Sequence, residues 1–502
     1  MSAFLQNRPS SMWATYLGVA LFILLVGVVG GMAIATSAKM LIVPVFGLVV
    51  GLFLLLLPVE WILITLVAFA FLISGIVGYF AKINQVFWVP YILGLAIWLI
   101  TLAEVTLRGN IQRGAWPFVL WAFVIYLLML GINVLINPES PGIYLVAAKN
   151  YLFLLSVFLA GFVLIKKPET YEVIWKILLV VALLQLPVVI YQYVVVGGKI
   201  ADAGGQGWDA VSGSFGGSES GGSSGFMGIY LVTILALLIS LLRNQAINAS
   251  KATLFAVVCI TPVFMAEVKA MFLIFLPLAF FWLFRTAIVR NPFQAGIWSL
   301  VFVAVMASGL FAYDKLHYQV ANSVVDRTLL ERVNEAVLLE TDPNYLNVLS
   351  GEMGRTALLV LWWRQHGLDE PDKLIFGHGL GSTRVSSFYV GEVQKRFPRL
   401  RLDRNAMSVL LWDIGVAGAC AYILLLVAGS RLSLRLSASS DIPAQHRAYL
   451  ETSGIYLILA LASLVYNRSV IEHPGMIMLV MLSLGQAAYW FYRLRPPGQT
   501  RS

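Results

Sequence analysis

Residues 374–418 read LIFGHGLGSTRVSSFYVGEVQKRFPRLRLDRNAMSVLLWDIGVAG. The first part of this stretch is mostly polar and ends in a cationic cluster of Lys395, Arg396, Arg399, Arg401 and Arg404. From residue 405 the chain is predominantly apolar as far as Gly429. This pattern predicts a membrane helix that begins beside a charged loop at the membrane surface. Such a junction is a candidate site for a lipid-linked anion.

Composition places the whole chain among polytopic membrane proteins. Sixty per cent of its 502 residues are hydrophobic and 12% are charged, and the mean hydropathy is +0.85. A soluble chain of this length could not keep so much apolar surface out of water. We attribute much of the net charge of +9 to cytoplasmic loops rather than to a nucleic-acid partner. Cys259 and Cys420 both lie in apolar runs, so no disulfide framework is predicted.

Apolar runs long enough to span a membrane predict an all-α bundle of about 14 helices. They cover residues 13–36, 40–58, 61–80, 87–107, 115–135, 144–165, 173–195, 226–242, 252–266, 270–285, 294–312, 405–429, 450–467 and 474–492. If the N-terminus is cytoplasmic, the short inside loops carry 15 Lys and Arg residues and the short outside loops carry 5. This bias predicts that both termini are cytoplasmic and that segments 196–225 and 313–403 are outside.

Three regions follow from this topology. Residues 1–312 contain helices 1 to 11, residues 313–403 form one large outside loop, and residues 404–502 contain helices 12 to 14. The large loop is expected to be partly helical, with an amphipathic helix over Asn322–Glu340 and a second helix over Gly354–His366.

The outside segment 196–225 is rich in Gly and Ser and has two interpretations. Composition favours a flexible linker. However, a linker needs no Trp208, Asp209, Phe215 or Glu219, and backbone amides in such a loop can line a sugar or diphosphate site.

Glu267 and Lys269 lie between two short apolar runs, so the turn that carries them is expected below the membrane surface. Two charges at that depth must pair with each other or face a wet cavity. They form either an ion pair that closes the hairpin, or a site in which Lys269 holds a phosphate and Glu267 orients it or acts as a base. Lys149 either snorkels to the surface or adds to an external cationic pocket.

The large loop contains three histidines and a glycine-rich turn. His317, His366 and His378 match no common zinc spacing, so no metal site is predicted. Gly379 and Gly381 belong to a Gly-His-Gly-Leu-Gly sequence without the strand and helix of a dinucleotide fold. A turn that brings the backbone close to a sugar or phosphate is the preferred interpretation.

Several of these motifs together resemble the bacterial O-antigen polymerase and O-antigen ligase superfamily. The resemblance rests on GRTALLVLWWRQHG (354–367), LIFGHGLGS (374–382) and RNAMSVLLWDIGVAGACAYILLL (404–426), with VSGSFGGSES (211–220) and AEVKAMFLIFLPL (266–278) before them. It covers roughly residues 180–490. The family has an acidic residue followed by two spaced glycines in the helix after the large loop, and here these are Asp413, Gly415 and Gly418.

The resemblance implies a metal-independent membrane glycosyltransferase with a GT-C-like fold and no cofactor. Its substrate would be an oligosaccharide linked to undecaprenyl diphosphate, used at the periplasmic face of the bacterial inner membrane. Membrane lipids are its other expected partners, and a chain-length regulator and export machinery remain open. A polymerase passes the growing glycan to another lipid-linked repeat unit, in O-antigen or exopolysaccharide synthesis, whereas a ligase passes it to the lipid A core.

The chemistry of this transfer nominates the site residues. Fixed cations can stabilise a departing lipid diphosphate, and a carboxylate can accept the proton of the acceptor hydroxyl. The candidate catalytic residues are Glu267, Lys269, Asp403 and Arg404. The candidate substrate-binding residues are Trp208, Arg355, Gly379, Gly381, Arg384, Asn405, Arg468, Glu472 and His473, of which His473 is also a candidate base or a plain interfacial residue.

One departure from the family pattern favours a polymerase. Where ligases have His before Asn, this chain has Arg404 before Asn405, and arginine stays protonated and is a poor base. Asp413 lies about two and a half turns along the helix from Arg404, so it is expected to organise either the helix or a surrounding network rather than react. A lipid-linked oligosaccharide flippase or other transporter is the alternative of a different class. No convincing internal repeat supports that alternative.

Overall fold

The computed structural model describes residues 57–108, 116–202, 210–217, 222–266, 268–291, 340–347, 351–366, 369–385 and 390–494, with single positions between 293 and 337. Within these residues ten helices are long and apolar enough to cross a membrane. The chain is therefore an all-α, multi-pass membrane protein. Predicted spans 13–36, 40–58 and 294–312 lie wholly or mostly outside the described residues, as do Trp208 and Glu267.

The helices before the large loop follow the predicted order. They are α1 (Val59–Ala81, with a π-helical turn at Phe69–Ile73), α2 (Val89–Arg108), α3 (Phe118–Ile136), α4 (Pro141–Tyr151), α5 (Ser156–Val163), α6 (Glu169–Tyr191), α7 (Gly198–Asp202), α8 (Ser224–Arg243), α9 (Ala249–Met265) and α10 (Leu276–Arg290, after a π-helical turn at Met271–Phe275). The predicted span 144–165 is broken, because a short 3-10 turn separates α4 from α5. The predicted span 173–195 is longer than expected, since helical structure continues to Ile200.

The rest of the described chain consists of small loop elements and three long helices. They are β1 (Leu346–Asn347), β2 (Glu352–Met353), α11 (Arg355–His366), α12 (Pro371–Phe376), α13 (Glu392–Arg396), α14 (Ala406–Leu436), α15 (Ala444–Tyr466), α16 (Ser469–Glu472) and α17 (Pro474–Leu494). The helix predicted at 354–366 is confirmed as α11, whereas most of the one predicted at 322–340 lies outside the described residues.

The C-terminal helix α17 lies at the centre of the bundle. Of its most apolar stretch, 94% is buried, as expected for a helix that is apolar on every side. A Cβ atom built on Gly161 of α5 would lie 2.7 Å from the Cα atom of Gly485 in α17. Two glycines at this crossing let the backbones of the helices touch, which is a common packing device in membranes.

The long helix α14 is kinked at Gly415. This residue has φ 67° and ψ −173°, a conformation outside the helical region. The kink frees the carbonyl groups of Trp412 and Asp413 from their own helix. The amides of His378 and Gly379 donate to these two oxygens at 2.8 and 3.0 Å. The glycine-rich turn and the kink are therefore one structural unit.

At one end of the bundle, polar contacts join residues that the charge bias places on one side of the membrane. Glu451 of α15 lies 3.3 Å from Arg243 and 3.6 Å from Arg285, at the ends of α8 and α10. At the same end of α15, His446 lies 3.3 Å from Glu172 near the start of α6. Glu172 also pairs with Lys176, one helical turn further along α6, at 3.5 Å.

The described part of 313–403 packs as a small cap on the head of α14. Its apolar cluster consists of Met353, Ala357, Leu358, Trp362, Val393, Leu402 and Trp412. Because Trp412 belongs to α14, this cluster ties the cap to a membrane helix rather than forming an independent domain.

The linker interpretation of the Gly/Ser-rich segment is wrong for residues 210–217. Most of this stretch is buried, and its backbone is bound by the side chains of Gln185 on α6 and of Gln192, the residue that follows α6. Gln192 Oε1 accepts from the amides of Ser212 at 3.0 Å and Gly213 at 2.7 Å, and Gln185 Oε1 accepts from the amide of Ser214 at 2.8 Å. These amides are thus occupied inside the protein, so the expectation that they line a substrate site is also corrected.

Candidate functional site

A cavity of about 710 Å³ opens where the tip of the α9–α10 hairpin, the cap and the ends of α14 and α15 meet. Lys269, Arg355 and Arg404, all predicted site residues, line it together. The other polar side chains in its wall are Ser224, Glu340, Thr341, Tyr345, Glu352, Thr356 and Tyr466. Three cations from distant parts of the sequence therefore share one hollow.

One carboxylate holds two of these cations. Oε1 of Glu340 lies 2.6 Å from Nη1 of Arg355 and 3.0 Å from Nη2 of Arg404. Its other oxygen, Oε2, accepts a hydrogen bond of 3.3 Å from the backbone amide of Arg355. All three side chains are partly exposed, at 20–29%, so they face the cavity rather than the protein interior.

The two arginines are also held by groups other than Glu340. Arg355 Nε donates to the carbonyl of Tyr466, and its guanidinium lies 4.4 Å from the centre of the Tyr466 ring. Arg404 Nη1 donates to the carbonyl of Met353 at 2.8 Å. Burial lowers the pKa of Arg355, and the nearby carboxylate of Glu340 opposes that effect. Arginine nevertheless remains a cation at neutral pH.

One wall of the cavity is apolar. Leu273 and Ile274 line it and are 45% and 46% exposed, and Val465 lines it and is 45% exposed. These side chains lie on or beside membrane helices, where lipid tails are the natural contact. The cavity thus has a cationic side and an apolar side that opens outward.

A chain of ion pairs lies next to the cavity at the head of α14. Arg468 bonds to both Asp403 and Glu472, and Arg384 donates to Glu472 at 2.8 Å. Burial alone would raise the pKa of Glu472, but the charges of Arg384, Arg468 and Lys149 outweigh it and the pKa is lowered. Burial also tends to lower the pKa of Arg384, but the carboxylate of Glu472 outweighs it and the pKa is raised.

This chain of ion pairs changes the roles predicted for its members. Asp403 was predicted to be catalytic and Glu472 to bind substrate, but both carboxylates form ion pairs with arginines. A carboxylate paired in this way is a weak proton acceptor. Lys149 does not lie alone at the surface, since its Nζ atom lies 4.9 Å from the Trp88 ring centre and 5.1 Å from that of Tyr91. Of the nominated cations, Lys269, Arg355 and Arg404 face the cavity, whereas Arg384 is nine-tenths buried beside Glu472.

His473 is a core residue in this structure. It is 5% exposed and packs against the rings of Phe215 and Phe226, and its Nε2 atom lies 3.2 Å from the carbonyl oxygen of Phe215. Burial lowers its pKa to about 4. The prediction that it serves as a base is therefore unsupported by its position, since its ring nitrogens face the packed interior.

Asp413 fastens the glycine-rich turn to α14. Its carboxylate accepts five hydrogen bonds of 2.9–3.2 Å, from the hydroxyls of Tyr151, Ser382 and Thr383 and the amides of Gly381 and Thr383. The prediction that Asp413 organises a network is confirmed. In contrast, the amides of Gly379 and Gly381 are directed at Asp413 rather than at the cavity, so their predicted contact with substrate is corrected.

Asn405 caps α14 instead of facing a ligand. It is fully buried, and its Oδ1 atom accepts from the amide of Ser408 at 2.7 Å. This is the standard role of Asn at a helix N-terminus. By fixing where α14 begins, Asn405 positions the preceding residue, Arg404, at the cavity.

The cap histidines form a pair. His366 Nδ1 lies 2.8 Å from the carbonyl of Trp362, so it donates there, and His366 Nε2 accepts from His378 Nε2 at 2.7 Å. Burial first, and then the neighbouring His366, lower the pKa of His378 to about 4. Across the part of the chain that the structure describes, no three His, Cys, Asp or Glu residues are grouped as metal ligands, and His317 lies outside that part.

Comparison with known proteins finds no protein-family model and no curated protein that matches this chain. The site must therefore be interpreted from its own chemistry.

Sequence reasoning missed Glu340. It stands at the end of the predicted amphipathic helix, but its partners are 15 and 64 positions further along the chain. No local pattern relates residues at such distances. The only signal was an acidic side chain on the last turn of that predicted helix.

The arrangement can hold a polyanion without a metal. Three cations in a partly desolvated hollow can bind the oxygens of a phosphate or diphosphate. Arginine can do so through two parallel N–H···O hydrogen bonds, a bidentate contact. The same groups can stabilise negative charge that develops on a leaving diphosphate.

Proposed function

We propose that this protein is a polysaccharide polymerase, a metal-independent membrane glycosyltransferase that elongates O-antigen or an exopolysaccharide. It transfers a growing glycan from undecaprenyl diphosphate to a lipid-linked repeat unit. The observation that carries the proposal is the shared cavity of Lys269, Arg355 and Arg404. These residues come from three of the five stretches on which the resemblance to the O-antigen polymerase and ligase superfamily rests.

The two sides of the cavity match the two parts of such a substrate. A diphosphate needs fixed cations, and an isoprenoid chain needs an apolar surface that continues into the membrane. The cationic side supplies the first, and Leu273, Ile274 and Val465 supply the second. A soluble sugar nucleotide would need no such apolar opening.

The choice of a polymerase over a ligase rests on Arg404. Its guanidinium lines the cavity and pairs with Glu340. In this position it can bind the diphosphate of the donor. A histidine at this place would offer a neutral nitrogen as base, and arginine does not. The acceptor decides between the two activities: a second lipid-linked repeat unit for a polymerase, the lipid A core for a ligase.

The proposed location is the bacterial inner membrane, with both termini in the cytoplasm and the cavity at the periplasmic side. Supporting this orientation, Glu451 and its arginine partners gather at the opposite end of the same helices from Lys269 and Arg404. The lysine and arginine bias of the loops assigns that opposite end to the cytoplasm.

The test is transfer by purified protein in liposomes that contain a defined undecaprenyl diphosphate oligosaccharide. Wild-type protein is expected to give a ladder of longer glycans, whereas a transporter would leave glycan length unchanged. Lys269→Ala and Arg404→Ala should each abolish the ladder while the protein remains inserted and monodisperse. Lys395→Ala and Arg396→Ala, which remove exposed charges of the cap, are the matched controls and should keep it. Full-length polymer from both cavity variants would refute the site.

A further inference from the structure

We propose that Glu340 is the proton acceptor of the transfer reaction and that the diphosphate of the donor releases it for this role. This inference rests on the proposed function. It assigns to the cavity the one reacting group that the cations cannot provide, since an acceptor hydroxyl must lose its proton when it attacks.

The position of Glu340 supports this role. Of the acidic residues nominated from sequence, Asp403 and Glu472 pair with Arg468 and Arg384 and do not line the cavity, and Glu267 lies outside the described residues. Glu340 lines the cavity beside Lys269, and its side chain is 26% exposed. It is therefore within the same hollow as the cations that would hold the donor.

In the structure described here, Glu340 takes the place of an anionic ligand. One carboxylate oxygen binds both arginines, at 2.6 and 3.0 Å, as a phosphate oxygen would. Arg355 also contacts the carbonyl and ring of Tyr466, and Arg404 also bonds to the carbonyl of Met353, so neither guanidinium is held by Glu340 alone. The two guanidinium groups are thus fixed in advance for an incoming diphosphate.

Binding of diphosphate would change the behaviour of the carboxylate. The two arginines would pair with the more highly charged ligand, and Glu340 would be left beside a second anion. A carboxylate that loses cationic partners and gains an anionic neighbour becomes a better proton acceptor. The base is therefore active only when the donor is bound.

The transfer step balances with these groups. The acceptor hydroxyl oxygen forms a bond to the anomeric carbon, and the bond from that carbon to the diphosphate oxygen breaks. The electron pair of the broken bond leaves on the diphosphate, where Lys269, Arg355 and Arg404 stabilise it. The hydroxyl proton passes to a carboxylate oxygen of Glu340.

Binding of inorganic pyrophosphate and glycan transfer test this role separately. Glu340→Gln removes the competing charge but keeps the shape, so pyrophosphate should bind it at least threefold tighter than it binds wild type. Transfer by the same variant should fall at least 100-fold, within the range expected for loss of a general base. Formate is a small carboxylate that can take the place of the missing side chain in Glu340→Ala. It should raise the transfer rate of that variant at least tenfold over the rate without formate. Glu392→Gln, in an exposed pair with Arg396, is the control and should match wild type in both measurements.

The outcomes separate this inference from the proposed function. Wild-type protein that neither binds pyrophosphate nor elongates glycan would refute the function itself. Wild-type activity together with near-normal transfer by Glu340→Gln would overturn only the role of Glu340. So would weaker pyrophosphate binding by Glu340→Gln, or an Ala variant that formate does not rescue, since both indicate a purely structural ion pair. The inference is supported if Glu340→Gln binds pyrophosphate more tightly and loses transfer, and if formate restores transfer by Glu340→Ala.

Discussion

Tyr151 donates a hydrogen bond of 2.9 Å to Asp413, and this bond joins the end of α4 to the kinked helix α14 across 262 positions of sequence. It is one of five that fill the acceptor positions of this fully buried carboxylate. The turn that follows α12 is therefore anchored in the membrane bundle through one side chain.

Replacing Asp413 by Asn should destabilise the protein. An amide has one acceptor oxygen fewer and presents N–H groups to donors, so we expect a loss of about 3 kcal/mol from broken charged hydrogen bonds. Thermal unfolding in detergent, followed by size-exclusion chromatography, measures this loss. Asp441→Asn, at an exposed position in the loop after α14, is the control. Equal stability of the two variants would contradict the anchoring role.

Gly415→Ala should disrupt the contact between α14 and the glycine-rich turn. An added Cβ would lie 2.3 Å from the carbonyl oxygen of Ile375, and the positive φ disfavours any side chain. Backbone strain and this clash together predict a loss of about 3 kcal/mol or more. Gly131→Ala, in α3 with nothing within 4 Å, should instead gain up to about 1 kcal/mol. The yield and melting temperature of monodisperse protein distinguish the two, and a stable Gly415→Ala protein would show that the kink is dispensable.

Arg384→Met should show that the buried pair with Glu472 matters far more than an exposed pair. The side chain of Arg384 is 8% exposed and that of Glu472 is 30% exposed, and Arg468 still pairs with Glu472 when Arg384 is lost. The loss of one charge-assisted hydrogen bond should therefore cost about 2 kcal/mol. Because the pKa of Glu472 is lowered, this contribution is present above the ordinary carboxyl range and is lost as the pH falls through its folded value. Arg396→Met removes an exposed helical pair with Glu392 and should change stability by less than about 0.5 kcal/mol. Similar melting temperatures for the two variants would argue against the difference in burial.

Stability should also depend on His473 at mildly acidic pH. Its pKa in the folded protein is about 4, against an ordinary value of 6.5, so the folded state holds it neutral. Its favourable contribution is complete above pH 6.5 and decreases as the pH falls toward 4, by roughly 3 kcal/mol in all. The measurement is the change in melting temperature between pH 7.0 and 4.5, which should be smaller in His473→Gln than in wild type. An unchanged pH dependence in that variant would place the sensitive group elsewhere.

The positions of the helices were largely predictable from the sequence, whereas the breaks within them and the contacts between them were not. Eleven of the fourteen predicted apolar runs correspond to helices in the described residues, ten of them long enough to span a membrane and one, α9, shorter. The break between α4 and α5 and the kink at Gly415 were not predicted. Both lie inside continuous apolar runs, where hydropathy does not register a change of backbone direction.

The candidate site was predictable only in part. Lys269, Arg355 and Arg404 were nominated as cations that could stabilise a departing lipid diphosphate, and they line one cavity. Gly379 and Gly381 were assigned to substrate because glycine-rich turns often bind phosphate. Their amides bind α14 instead, because the kink at Gly415 leaves carbonyls that need donors, and the local pattern of the turn contains no information about that.

The amino-acid sequence by itself determined the class of protein, the order of its helices and the charges available at one end of them. Each of these depends on whether a local run of about 20 residues prefers lipid or water. Only the tertiary structure decided which charges meet, which carboxylates pair away from the cavity and that Glu340 faces the cavity between two of its cations. Such choices depend on contacts between residues far apart in the chain, and these form only when the helices pack.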